Sequence, residues 1–276
     1  MFEIISFDSV QIYRYLDIGS GKLPPFERGA IPHHGIDIID PNEDFTAGDF
    51  VRYASGVCEE IRSRKNIPLF VGGTGFYLDA FFQGLSGIPV VDPVTRNNVR
   101  ADIGSKGIAS LYNELASVDP FFARKIHPND SQRIIRGLEV YRETGRPISW
   151  FYQERKSYES DETLYIGLYD ERRLLYERIN KRVDSMIAVG FADEVKNLRG
   201  MGYGPELKSM KSIGYAELNR SLDGLLAFDE AVELIKKETR HYAKRQMTWF
   251  SRNKKITWFK TGEKDAINQH IEKWLK

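Results

Sequence analysis

The sequence predicts an α/β fold built on a parallel sheet, and three observations carry that prediction. A β-branched and aromatic run, Glu3-Ile4-Ile5-Ser6-Phe7, stops abruptly at Asp8 and reads as a buried strand. Strand, helix, strand, glycine turn and helix then follow in that order, the rhythm of βαβ units that close a parallel sheet. From about Asp92 to Asp130 no convincing strand occurs, and polar helical segments are jointed by Pro and Gly, which reads as a helical insertion or lid.

The elements follow in order. Past the first strand, Gly19, Gly21, Pro24 and Pro25 mark a long loop, and His34 to Ile39 forms a short apolar segment closed by Asp40-Pro41. A helical period runs through Phe50, Tyr53, Val57 and Ile61, with Thr46 as N-cap and Asp49 as its partner in a capping box. A second strand spans Ile67 to Val71 and leads through Gly72-Gly73-Thr74-Gly75 into a second helix. Ile134, Ile135, Leu138 and Tyr141 share one face of a helix that Gly145 ends. Residues 163–169 read as a strand, 171–199 as one long helix or two, 228–253 as a helix and 255–260 as a last short strand. The domain reading is a core of residues 1–91 and 131–276, with residues 92–130 inserted as a helical domain.

Composition narrows the class. Hydrophobic residues make up 41% and charged residues 29%, the balance of an ordinary globular chain. No apolar run approaches the ~18 residues that cross a bilayer, and no secretory signal opens the chain, so a cytoplasmic protein without a membrane partner is expected. Cys58 is the only cysteine, which excludes an internal disulfide and a multi-cysteine zinc site. The five histidines have no ligand-like spacing, and adjacent His33 and His34 would point to opposite faces of a strand. The net charge of +1 is uninformative, but Lys236, Lys237, Arg240, Lys244, Arg245, Arg252, Lys254 and Lys255 crowd a stretch holding the single acid Glu238. Such a stretch suits either a phosphate backbone or a solvated helix face.

Four short stretches hold residues suited to chemistry, and each also has a purely structural reading. Asp8, Ser9 and Gln11 follow a buried strand, where a carboxylate serves as a general base or simply closes an Asx turn. Gly72, Gly73 and Gly75 let a ligand approach the backbone while Thr74 offers a hydroxyl, although such turns also use glycine for steric reasons. Asp130 and Arg133, with Ser131 and Gln132 between them, suit a base contact or a helix cap. Lys211, Gly214 and Tyr215 combine charge, close approach and an aromatic ring, as nucleic-acid sites and ordinary loop–helix junctions both do.

Together the stretches EIISFDSVQIYRYLDIGSGK, PHHGIDIIDP, IPLFVGGTGFYLDAFFQGL, HPNDSQRIIRGLEVYRETG, KSIGYAEL and AKRQMTWF resemble the bacterial tRNA dimethylallyltransferases (tRNA isopentenyltransferases). They occur in the family's order and span the chain from Glu3 to about Phe259. The resemblance implies a P-loop-kinase-like, nucleotide-binding (ATP-binding) core with a helical insertion, acting as a monomer. It implies transfer of a dimethylallyl group from dimethylallyl diphosphate to N6 of the adenosine 3′-adjacent to the anticodon of tRNA, with Mg²⁺ as cofactor. By motif, Asp8 is similar to the family's general base, and Thr74 and Arg96 match catalytic positions flanking the substrate channel. Asp8, Ser9, Val10 and Gln11 match a segment that touches tRNA. So do Asp130, Ser131, Gln132, Arg133 and Ile134, and so do Lys211, Ser212, Ile213, Gly214, Tyr215 and Ala216. Lys22, Lys244 and Arg245 fall to the diphosphate, with Gln246 beside them.

One feature of the family is not found. Its glycine-rich loop ending in Gly-Lys-Ser/Thr, which cradles phosphates and places a hydroxyl on Mg²⁺, does not occur in this sequence. The resemblance therefore implies a core whose first strand, P-loop and helix are absent, and a chain that is poorly stable and inactive alone. The alternative function is a non-catalytic tRNA-binding remnant of the same family.

Overall fold

The computed structural model describes residues 1–84, 87–152 and 162–276. The chain divides into two compact units, one of Met1–Asp79 with Ser160–Lys276 and the other of Ala80–Glu159.

In the first unit β1 (Phe2–Ser6) lies between β2 (His33–His34) and β3 (Ile67–Val71), and both pairings are parallel. Between β2 and β3 the chain returns through α1 (Ala47–Ser63), which buries Phe50, Ala54, Val57 and Ile61. The expected capping box is present: Thr46 Oγ1 accepts from Asp49 N, and Asp49 Oδ2 accepts from Thr46 N at 2.8 Å. The apolar segment expected at His34 to Ile39 is shorter as a strand. Gly35 turns the chain at a φ of 79°, where a Cβ would sit 2.7 Å from Ser6 O, and Asp37 is also left-handed. Ile39 then returns to bridge Tyr13.

A carboxylate is buried in β1. Glu3 accepts from Arg64 Nε and Nη2 at 3.0 and 2.8 Å, from Asn66 Nδ2 at 2.8 Å, and pairs with His34 Nε2 at 2.8 Å. Those partners sit at the end of α1, before β3 and on β2, so one side chain ties three elements. The Arg64, Asn66 and His34 hydrogen bonds hold the Glu3 carboxyl down at about 2.

The single parallel sheet expected from the sequence is two sheets among the described residues. β4 (Ile166–Tyr169) and β5 (Thr257–Lys260) pair in parallel as a separate ribbon. The stretch 171–199 is two helices, α7 (Arg172–Ala188) and α8 (Phe191–Gly200), broken where Gly190 takes a φ of 100°. After α9 (Tyr215–Leu222), the long α10 (Phe228–Phe250) packs on α7 and α9, and α11 (Lys264–Leu275) ends the chain.

The second unit is helical: α3 (Pro93–Val118), α4 (Pro120–Ala123), α5 (Ser131–Thr144) and α6 (Ile148–Phe151). It takes in the expected insertion, 92–130, together with α5 and α6. Val99, Leu111, Leu115, Ile134 and Leu138 are fully buried in its core. Gly137 lets α5 lie close to α3, since a Cβ there would stand 2.7 Å from Leu115 Cδ1. Asp119 is buried between α4 and α6, accepting from the amides of Phe122 and Ser149 at 2.9 Å each. Among the described residues no helix is long and apolar enough to cross a membrane.

Candidate functional site

Asp8 stands just past β1. Its Oδ1 accepts from the amides of Val10 and Gln11 at 2.8 and 3.2 Å, which closes the turn. That leaves Oδ2 with no hydrogen bond among the described residues. Structural and chemical roles of this aspartate are therefore compatible: one oxygen shapes the loop and the other is not used in doing so. Gln11 is held by Ser6 Oγ, which donates to its Oε1 at 3.1 Å.

The glycine turn after β3 meets this loop directly, because β1 and β3 are hydrogen-bonded neighbours and end together. Ser9 N donates to Thr74 Oγ1 at 3.1 Å, Thr74 Oγ1 donates to Ser9 Oγ at 3.2 Å, and Thr74 N reaches Phe7 O at 3.3 Å. The turn opens α2 (Gly75–Phe82).

One face of α10 covers the turn. Gln246 Nε2 and Tyr242 Oη both donate to Gly73 O, at 3.0 and 3.3 Å, and Trp249 Nε1 donates to Asp79 Oδ2 at 3.0 Å. Gly75 is required by this packing: a Cβ would lie 2.3 Å from Trp249 Cδ1. Burial and the negative charge of Asp8 push the Tyr242 hydroxyl above its usual pKa, so it stays a donor. Tyr242, Trp249 and Asp79 hold this arrangement and are not among the expected site residues, although Trp249 and Asp79 fall within the quoted stretches. Tyr242, Gln246 and Trp249 recur at helical spacing, and that stripe was the available signal.

The basic stretch divides by face. Lys236 pairs with Asp184 and Glu233 at 2.8 Å, and Arg240 donates to Asn180 Oδ1 at 2.7 Å, so these fasten α10 within the fold. Lys244 and Arg245 are exposed, with Arg245 5.7 Å from the Tyr242 ring.

Two expected roles are corrected by burial. Lys22, expected at the diphosphate, has a side chain only 3% exposed. Its ammonium donates to Tyr13 O at 2.6 Å, Asp17 Oδ1 at 3.0 Å and Asp37 Oδ1 at 2.5 Å. All three protons are used in pinning the loop, and none is left for a ligand. Tyr215 is fully buried, its ring edge-on to Phe191 at 5.0 Å, and cannot stack on a base. Its hydroxyl donates to Glu194 Oε1 at 2.7 Å, and Glu194 in turn accepts from the amides of Asp17, Ile18 and Gly19. Of the neighbouring segment Lys211 is exposed, Ser212, Ile213 and Ala216 are partly exposed, and Gly214 is packed against Phe191.

The remaining predicted residues belong to the second unit. Arg96 is partly buried on α3 and reaches Val91 O at 3.5 Å. Asp130 caps α5, accepting from Arg133 N at 3.1 Å and from Arg133 Nη1 at 2.9 Å. Ser131, Gln132 and Arg133 are exposed, while Ile134 is core.

A family model described as IPP transferase matches residues 11–254. A tRNA dimethylallyltransferase of Syntrophobacter fumaroxidans is 44% identical over 269 residues, covering 97% of this chain and 77% of that protein. One from Thermotoga maritima is 47% identical over 276 residues, covering 99% of this chain and 89% of the other. Among solved structures, a tRNA isopentenylpyrophosphate transferase of Bacillus halodurans is 38% identical with a TM-score of 0.70, covering 99% of this chain and 88% of that one. A eukaryotic dimethylallyltransferase acting on tRNA is 29% identical with a TM-score of 0.81, covering 98% and 73%. These alignments run along nearly all of the present chain and do not confirm the expected loss of a first strand, loop and helix.

Proposed function

The chain belongs to the IPP transferase family, and from that membership we propose that it transfers a dimethylallyl group from dimethylallyl diphosphate to N6 of the adenosine 3′-adjacent to the anticodon in tRNA. The observation that carries the reading to specific atoms is the meeting of Asp8, Ser9 and Thr74 under α10, with one carboxylate oxygen spent on the turn and the other open.

The adenine amine is a weak nucleophile because its lone pair is delocalised into the ring. As its nitrogen attacks C1 of the dimethylallyl group, the bond from C1 to the diphosphate oxygen breaks and the diphosphate leaves. The amine proton passes to Asp8 Oδ2, acting as general base. Thr74 and Ser9 keep that carboxylate in place by joining its loop to the glycine turn. Lys244 and Arg245, exposed on α10, are assigned by the family resemblance to offset the charge that develops on the leaving group. Arg96 and the segments 130–134 and 211–216 are assigned to the substrate channel and to tRNA, Tyr215 and Ile134 by holding their segments rather than by contact.

Among the described residues no group of three or more His, Cys, Asp or Glu side chains is placed to hold a metal. Mg²⁺ is commonly bound through waters and substrate phosphates as well as carboxylates, and with Asp8 Oδ2 kept for the amine proton the ion would be held by the diphosphate and water. When bound, the ion supplies neutralisation of the diphosphate charge. The reading also takes the chain to be a cytoplasmic monomer.

The alternative reading is a non-catalytic tRNA-binding protein of the same family. Incubation with labelled dimethylallyl diphosphate, Mg²⁺ and tRNA separates the two. Label recovered on N6 of the target adenosine supports transfer, whereas tRNA binding without label supports the second reading.

A further inference from the structure

The loop that carries Asp8 also holds a residue that neither the motifs nor the reaction explains. Tyr15 has a φ of 66°, in the left-handed region that a bulky side chain seldom adopts. Such a conformation is destabilising and persists where the surrounding structure enforces it, which is common at binding sites. The ring is not hidden by the distortion: Tyr15 is 46% exposed. It stacks on Tyr203, with ring centroids 6.3 Å apart and planes 24° apart. Tyr203 precedes the 211–216 segment, so the pair bridges two stretches that carry tRNA-binding candidates. The groups around it are mixed in charge. Arg14 is paired with Asp40 at 2.9 Å, and Asp40 and Glu43 are the acids beside Tyr203. That environment does not suit a phosphate, but it suits the face of a neutral ring.

We propose that Tyr15 and Tyr203 form a stacking platform for an unpaired base of the bound RNA, outside the Asp8 site. The proposal rests on the tRNA reading above and deepens it. A base drawn out of its stack loses contact on both faces, and an aromatic side chain restores part of it whatever the base identity. The left-handed backbone at Tyr15 is then the cost of presenting a ring at this point of the loop.

The test measures affinity for an anticodon stem-loop RNA, and for a set of such RNAs each lacking one loop base. Tyr15→Gly is the informative variant, because glycine adopts this backbone freely and relieves the strain. The proposal expects Tyr15→Gly to melt no lower than the wild type, yet to bind RNA about 5- to 100-fold more weakly. Tyr15→Phe and Tyr15→Trp retain affinity within about 2-fold. With one particular abasic RNA the wild type loses the same factor, and Tyr15→Gly loses nothing further. Stacking involves no counterion release, so this factor stays constant as salt rises while overall affinity falls. Tyr15→Gly binding within 2-fold of the wild type overturns the proposal, as does a loss independent of which base is missing. Self-association abolished by Tyr15→Gly, with RNA affinity intact, also overturns it by assigning the surface to a second copy. Failure of the wild type itself to bind RNA removes the tRNA reading, and the platform with it, and is distinguishable because it precedes any substitution.

Discussion

The amide of Ser9 donates to Thr74 Oγ1 across 3.1 Å, joining the residue after Asp8 to the glycine turn that follows a neighbouring strand. Parallel pairing of β1 and β3 brings the two strand ends side by side, and this bond fixes the loops that leave them. Thr74→Val keeps the shape and removes the acceptor, leaving a part-buried amide unsatisfied at a cost of about 1–3 kcal/mol. Single-turnover transfer by Thr74→Val is expected to fall by about 5- to 150-fold, that energy converted at about 1.4 kcal/mol per tenfold. Thr74→Ser, which keeps the acceptor, stays within about 3-fold.

Asp8→Asn separates shaping from proton transfer. The asparagine Oδ1 can still accept from the amides of Val10 and Gln11, so the turn survives. The proposed general base does not, and the transfer rate is expected to drop by roughly 10²- to 10⁴-fold. The circular dichroism spectrum is expected to match the wild type, and tRNA is expected to remain bound.

Glu3 gives the chain a defined acid limb. Its folded pKa, about 2, lies below the ordinary 4.5, so its contribution is fully present above pH 4.5 and is lost as pH falls from there towards 2. Urea midpoints measured from pH 7 to pH 2 should decline across that window. Glu3→Gln should be less stable at pH 7, with Arg64 left unpaired, and should show a flatter response below pH 4.5.

Asp119 tests the second unit alone. Asp119→Ala leaves the amides of Phe122 and Ser149 without their acceptor, destabilising that unit by about 1–3 kcal/mol. Limited proteolysis should cut within residues 80–159 sooner than in the wild type. The fragment pattern of the rest should not change.

What could be seen in the sequence was local. The β1 run, the Thr46–Asp49 box and the glycine turn depend on residues within a few positions of one another, and each is found where it was expected. Lys22 and Tyr215 differ from the expectation because their surroundings come from elsewhere. Asp37 lies across a turn from Lys22, and Glu194 on α8 gathers Tyr215 together with the backbone of residues 17–19. A lysine and a tyrosine in a glycine-containing loop look like ligands until their partners are counted. The division of the basic stretch needed α7, whose Asn180 and Asp184 take up Arg240 and Lys236. Tyr242, Gln246 and Trp249 were readable as a helical stripe, but only the structure shows that the stripe covers Gly73 and Gly75.

The most direct measurement of the central claim is transfer of labelled dimethylallyl from its diphosphate to tRNA, with Mg²⁺, by the wild type and by Asp8→Asn. The account predicts label on N6 of the adenosine 3′ to the anticodon with the wild type, and at least 100-fold slower labelling with Asp8→Asn. Bound but unlabelled tRNA, or labelling that Asp8→Asn does not slow, would contradict it.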